Sequence, residues 1–106
     1  MTHTMPANPF PDVALPPAAV GGEVWDRHAP AHRVVWGVDR TTTDHPATVH
    51  TSAIQLADGS IDVVGNIEAP QVFLHLGDRG GFNSDQAREL AAALLEAAAE
   101  LDGWTR

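Results

Sequence analysis

The strongest hydrophobic pattern lies near the end of the chain. Between residues 84 and 102 there is no Gly, no Pro and no β-branched residue, and Ala, Leu, Glu, Gln and Arg dominate, so helix propensity is high throughout. Ala87, Leu90, Ala91, Leu94, Leu95, Ala98 and Leu101 recur at spacings of three and four. This predicts an amphipathic helix over 83–102 with one apolar stripe. Asn83 and Gln86 form a capping-box pair at its start, and Gly103 suits the left-handed position beyond its end. The opposite face sets Ala92, Ala93, Ala97 and Ala99 among Arg88, Glu89, Glu96 and Glu100, which makes it smooth rather than strongly polar.

Upstream the period changes from helical to two. Val34, Trp36 and Val38 alternate and predict a strand over 32–38, followed by a polar loop over 39–47. Asp58-Gly59 is a strong hairpin pair. Centring a two-residue turn there sets Leu56 opposite Ile61 and Ile54 opposite Val63, giving strands over 48–57 and 60–67. Val72, Leu74 and Leu76 predict a fourth strand over 71–76, and Gly77-Asp78-Arg79-Gly80-Gly81 turns the chain into the helix. The expected fold class is α+β, a four-stranded antiparallel meander sheet with one C-terminal helix packed on one face. Val34, Trp36, Ile54, Leu56, Ile61, Val63, Val72 and Leu74 would meet the helix stripe. The other sheet face would then show Val35, Ala53, Val64, Phe73 and His75, more apolar than a solvated face should be. A cover is expected there, from the N-terminal segment, a second copy or a partner protein.

Neither period is present before residue 32. Residues 1–31 hold six of the eight prolines, which favours extended structure without a ladder. They read as a Pro-rich N-terminal arm preceding a ββββα domain over 32–106. The arm is expected to be disordered to about residue 17, with Val20, Val24 and Trp25 laid on the domain.

Composition narrows the function classes. The formal charge is −8 and the six arginines are scattered, which argues against direct nucleic-acid binding. No apolar run is long enough for a membrane span, and the start lacks a secretory pattern, so a cytoplasmic location is expected. Cys, Lys and Tyr are absent, while Ala, Gly, Pro and Arg are abundant. Codon usage of that kind points to a GC-rich bacterium or its phage.

Candidate chemistry is sparse. Asp26, His28 and His32 form D-x-H-x₃-H, a donor set that suits zinc, but Pro30 prevents the helix that would align the two histidines. Surface histidines in an irregular segment are the simpler reading. The Gly77–Gly81 run lacks the Lys-Ser/Thr ending of a phosphate loop. Ser52, Ser60 and Ser84 sit in no G-x-S-x-G elbow, and Glu96 with Glu100 reads as a solvated helix face. With no catalytic constellation, a non-enzymatic protein is expected, with no cofactor except zinc at the histidine pair.

From Asp58-Gly59-Ser60 onward, through Pro70-Gln71-Val72 and the ARELAAALLEAAAELD segment, the sequence resembles small uncharacterised actinobacterial and actinophage α+β proteins. Trp25-Asp26-Arg27-His28 is similar to their upstream Trp preceding Cys or His, with Asp26 where some members have Cys. The resemblance implies fold and origin only. Three functional readings follow. One is a protein-interaction or regulatory module, acting on a partner protein or as a homodimer, using Trp25, Val35, Ala53, Val64, Phe73 and His75. Another is a metal-binding or histidine-switched module at Asp26, His28 and His32. The third is an acidic DNA mimic, which should carry regular double rows of carboxylates, whereas here they are spread through loops.

Overall fold

The twelve-residue strand β4 (His45–Leu56) is the spine of the structure. Thr48, Val49, Thr51 and Ile54 favour the extended backbone, and its length lets three strands share it. In the computed structural model, which describes residues 8–105, β2 (His32–Trp36) pairs with residues 52–56 of β4, β3 (Arg40–Thr42) with 45–49, and β5 (Gln71–His75) with 48–52. A strand has two edges, and β5 overlaps the stretches used by both others. Therefore β2 and β3 follow one another along one edge while β5 takes the other. Trp36 stands opposite Ser52 but Arg40 opposite Val49, so one extra residue is accommodated at 38–39 as a bulge. The short β1 (Gly21–Gly22) adds to β2. All pairings are antiparallel, and one helix, α1 (Ser84–Trp104), covers one face. The α+β class with a single C-terminal helix is as the pattern predicted.

The strand expected over 60–67 does not form. The Gly59 N–H donates to the Leu56 carbonyl, the Leu56 N–H to Ser60, and Gly59 has φ +90. This is a three-residue loop closed by a left-handed glycine rather than a two-residue turn. Ile61 therefore faces Gln55 instead of Leu56. Beyond it the chain leaves the ladder because Asp62 organises a loop of its own. Its carboxylate accepts the N–H groups of Gly65, Asn66, Ile67 and Glu68. β5 then takes the place beside β4.

Those four hydrogen bonds, led by Ile67, hold the Asp62 carboxyl below its ordinary value against an opposing push from burial. A depressed folded value means the stabilisation is present above the unfolded value, about 3.9, and is lost as pH falls through the folded one. The melting temperature should therefore drop steeply below about pH 4. Asp62→Asn should melt lower at pH 6 and show a shallower acid limb in the same thermal scans. Identical acid limbs would assign the acid loss to other carboxylates.

The helix meets the sheet through a different face from the expected one. Gln86, Ala93, Ala97 and Trp104 are buried, with Leu90, Leu94 and Leu101 at the margins, whereas Leu95 is 73% exposed. The sheet answers with Val35, Ala47, Val49, Thr51, Ala53 and Gln55, all buried. Val34, Trp36 and Leu56, expected in this core, lie half-buried on the other side. The cause is an ionic clamp that needs close approach. Thr51 Oγ1 donates to Glu100 Oε1 at 2.5 Å and Arg40 Nη2 to Glu100 Oε2 at 3.1 Å, with Arg40 Nε reaching Glu96. A Cβ at residue 37 would stand 1.8 Å from Glu100 Oε1, so Gly37 admits the carboxylate. Alanines 93 and 97 let the helix backbone settle that near.

The arm is bonded to the domain from Val13 onward, earlier than the expected residue 17; residues 1–7 lie outside the described part. Val20 and Glu23 donate their N–H groups to the Trp36 and Val34 carbonyls. Further upstream, proline removes donors but leaves acceptors, and three carbonyls are used. Val13 accepts from Arg33, Ala14 from Gln55, and Pro17 from Trp104 Nε1 at 2.7 Å. Phe10 packs its edge on Trp25, whose ring lies 4.5 Å from the Arg33 guanidinium carbon.

Candidate functional site

Side chains of β4 alternate between the two sheet faces. The odd-numbered ones go under α1, so His50, Ser52 and Ile54 point away from it. Register carries Val34 and Trp36 of β2 and Phe73 and His75 of β5 to the same side. His50 is the centre. Its ring stacks on Phe73 and on His75, each at 5.3 Å and within 11° of parallel. Phe73 and His75 are themselves 6.3 Å apart, so the three near-parallel rings form a compact triangle on the open face. Next to it, Val20, Trp36, Gly37, Val38, Asp39 and His50 line an open depression of about 570 Å³. The bulge at 38–39 makes this hollow by bending the chain away from β4. Asp39 Oδ1 stands 3.9 Å from His50 Nδ1, too far for a hydrogen bond but near enough to leave the rim negative.

The residues expected to share an interaction surface divide. Phe73 and His75 are on the open face. Val35 and Ala53 are 0% and 3% exposed beneath α1 and Trp104, so they are core. Trp25 is buried under Phe10 and Arg33, and Val64 projects from the 62–68 loop at 76% exposure. The cause of the split is that β2 is apolar on both sides. His50 and Trp36, absent from the expected set, complete the open face, His50 in the ring cluster and Trp36 in the depression beside it. His50 was legible as the cross-strand partner of Phe73 only once β5, rather than 60–67, is placed beside β4.

Asp26, His28 and His32 do meet. The Asp26 carboxylate accepts from His28 Nδ1 at 2.8 Å and lies 3.8 Å from His32 Nε2. Asp26 and His32 also exchange backbone hydrogen bonds. The backbone N–H of His28 and then its ring hold the Asp26 carboxyl below its usual range. His32 Nδ1 is engaged by the Pro30 carbonyl. The arrangement is a clip closing the 26–32 loop, and among the described residues no group of three or more His, Asp or Glu side chains is disposed around a metal position. Several other polar side chains have structural partners. Ser60 donates to Asp58, His45 Nε2 bonds the Gly81 carbonyl and stacks on Phe82, and Arg79 bonds the Asp44 carbonyl. No described helix is long and apolar enough to cross a membrane. In comparisons with protein-family models, curated proteins and solved structures, nothing matches the chain.

Proposed function

We propose that this is a small non-enzymatic protein-interaction module, from a GC-rich bacterium or its phage, that docks a basic protein segment on the face opposite its helix. The observation that carries the reading is the near-parallel ring cluster of His50, Phe73 and His75 beside the Trp36-lined depression. The Trp36 and Phe73 ring faces, with Asp39 on the rim, favour a guanidinium or ammonium group laid over them, each such contact contributing about 0.5–2 kcal/mol. The chain's charge of −8 draws cationic partners and repels acidic ones. The depression has room for one large side chain beside the charged one.

A pair of synthetic peptides tests this, one alternating Arg and Leu and one alternating Glu and Leu. Titrated into labelled protein, the basic peptide should shift the resonances of Trp36, Asp39, His50, Phe73 and His75, and the acidic one should shift none. His50→Ala should weaken the basic peptide about tenfold, equivalent to about 1.4 kcal/mol, without unfolding the sheet. Equal binding of both peptides, or shifts confined to α1, would remove the reading.

A further inference from the structure

The backbone of β5 shows which groups the sheet leaves unused. The Gly37 N–H bonds the Thr51 carbonyl, and the Asp62 N–H bonds the Ile54 carbonyl. Odd-numbered backbone groups of β4 therefore point towards β2, and even-numbered ones towards β5. His50 and Ser52 then hold Phe73 and Gln71 in hydrogen-bonded pairs, while Val72 and Leu74, opposite Thr51 and Val49, turn their N–H and C=O groups outward. Among the described residues, no hydrogen bond reaches those four groups.

An open edge of this kind is usually blunted by proline, charge, a bulge or shortness. The opposite edge follows that rule, since β1 is two glycines flanked by Pro16, Pro17 and Glu23. β5 does not. Its register with β4 is unbroken over five residues, it contains no proline, and no Asp, Glu, Lys or Arg lies between Glu68 and Asp78. Leu74 within it and Leu76 just beyond it are 43% and 40% exposed. A row of backbone donors and acceptors selects an extended strand as occupant, and the uncharged stretch is a place where two copies of a −8 chain meet without direct repulsion.

We infer that β5 pairs antiparallel with β5 of a second copy, about a two-fold axis at Phe73. In that register Val72 and Leu74 exchange all four free backbone groups with Leu74 and Val72 of the partner subunit. Phe73 faces its own copy in the non-hydrogen-bonded pair, where side chains approach most closely. Gln71 falls opposite the partner's His75. Apolar meets apolar and polar meets polar throughout, as an isologous contact requires. Paired Phe73 side chains lie on one side of the merged sheet, so both open faces join into one surface with both helices behind it. Five residues extend only about 17 Å, less than a standard interface of roughly 800 Å² per partner needs, so the dimer dissociates on dilution. The inference rests on the sheet edge and stands apart from the peptide-docking reading.

The Leu74 N–H points outward, so Leu74→Pro removes an edge donor while sparing the β4–β5 ladder. Light scattering and sedimentation over a concentration series should show a monomer–dimer equilibrium for the wild type. Dissociation should become at least tenfold easier in Leu74→Pro and in Phe73→Lys, each checked for fold by circular dichroism. In wild-type protein, the Val72 and Leu74 amides should exchange faster on dilution while Thr51 stays protected. A wild type that is monomeric at millimolar concentration overturns the inference. So do folded variants that dimerise unchanged, or Val72 and Leu74 amides whose exchange ignores concentration.

Discussion

Trp104→Ala is expected to destabilise the protein by about 3–5 kcal/mol, the usual cost of emptying a large buried aromatic site. Trp104 is 7% exposed and packs with Val35, Ala53 and Ile61, with Ala19 and Leu101 at the margin. It therefore joins helix, sheet, hairpin end and arm at one point. Its loss also leaves the Pro17 carbonyl without its indole donor. Trp104→Phe keeps most of the volume and removes only that hydrogen bond, so about 1 kcal/mol is expected. Leu95→Ala, on the exposed side of the same helix, should stay within about 0.5 kcal/mol. Urea melts of the three variants give the comparison. If Leu95→Ala costs as much as Trp104→Ala, the helix buries its leucine stripe after all.

Arg40→Ala should cost about 3 kcal/mol, the lower end for breaking a buried ion pair, since the Arg40 side chain keeps 15% exposure. The cost arises because Glu100, whose side chain is 8% exposed, is left charged beneath the helix with Thr51 as its remaining donor. Glu100→Gln retains hydrogen-bonding atoms without the charge and should cost less than Arg40→Ala. The exposed Arg88–Asp85 pair supplies the contrast, because Arg88→Ala should be near neutral. Chemical denaturation measures all three, and a neutral Arg40→Ala would mean that water already screens the clamp.

Helix position was legible in residue order because its signals are local. Asn83 and Gln86 make both capping-box bonds, and the absence of breakers carries the helix through Asp102, but it then continues through Gly103, expected as a left-handed stop, and ends at Trp104 with Thr105 as its cap. Its rotation was not legible. Periodicity weighs leucine above alanine, yet here the small residues face inward so that Glu100 can reach Arg40 and Thr51. That choice depends on partners some 50 to 60 residues away. The sheet shows the same division. Gly59 at a turn was readable, but the left-handed glycine closes a three-residue loop and shifts Ile61 by one position, enough to exchange faces. The loop over 62–68 was hidden because its organiser is one carboxylate bonding four backbone N–H groups, a pattern with no apolar signature. For the open face, the alternation that separates Phe73 from Leu74 was visible, while its companions Trp36 and His50 depended on which strand neighbours which.

The indole hydrogen bond from Trp104 to Pro17 spans 87 positions, and its effect is on the order of events during folding. Contacts this distant in sequence form late, since loop closure must be met before they return any stabilisation. On a translating ribosome the segment around Pro17 emerges early and has no indole to bond until the last turn of α1 has been made. Until then Gln55 and Arg33 can gather Ala14 and Val13, but the corner over Val35 and Ala53 stays wet. The nascent chain would thus hold an unfinished sheet with its N-terminal segment only partly seated, and closure of the final helical turn would complete the sheet, hairpin and arm in one cooperative step.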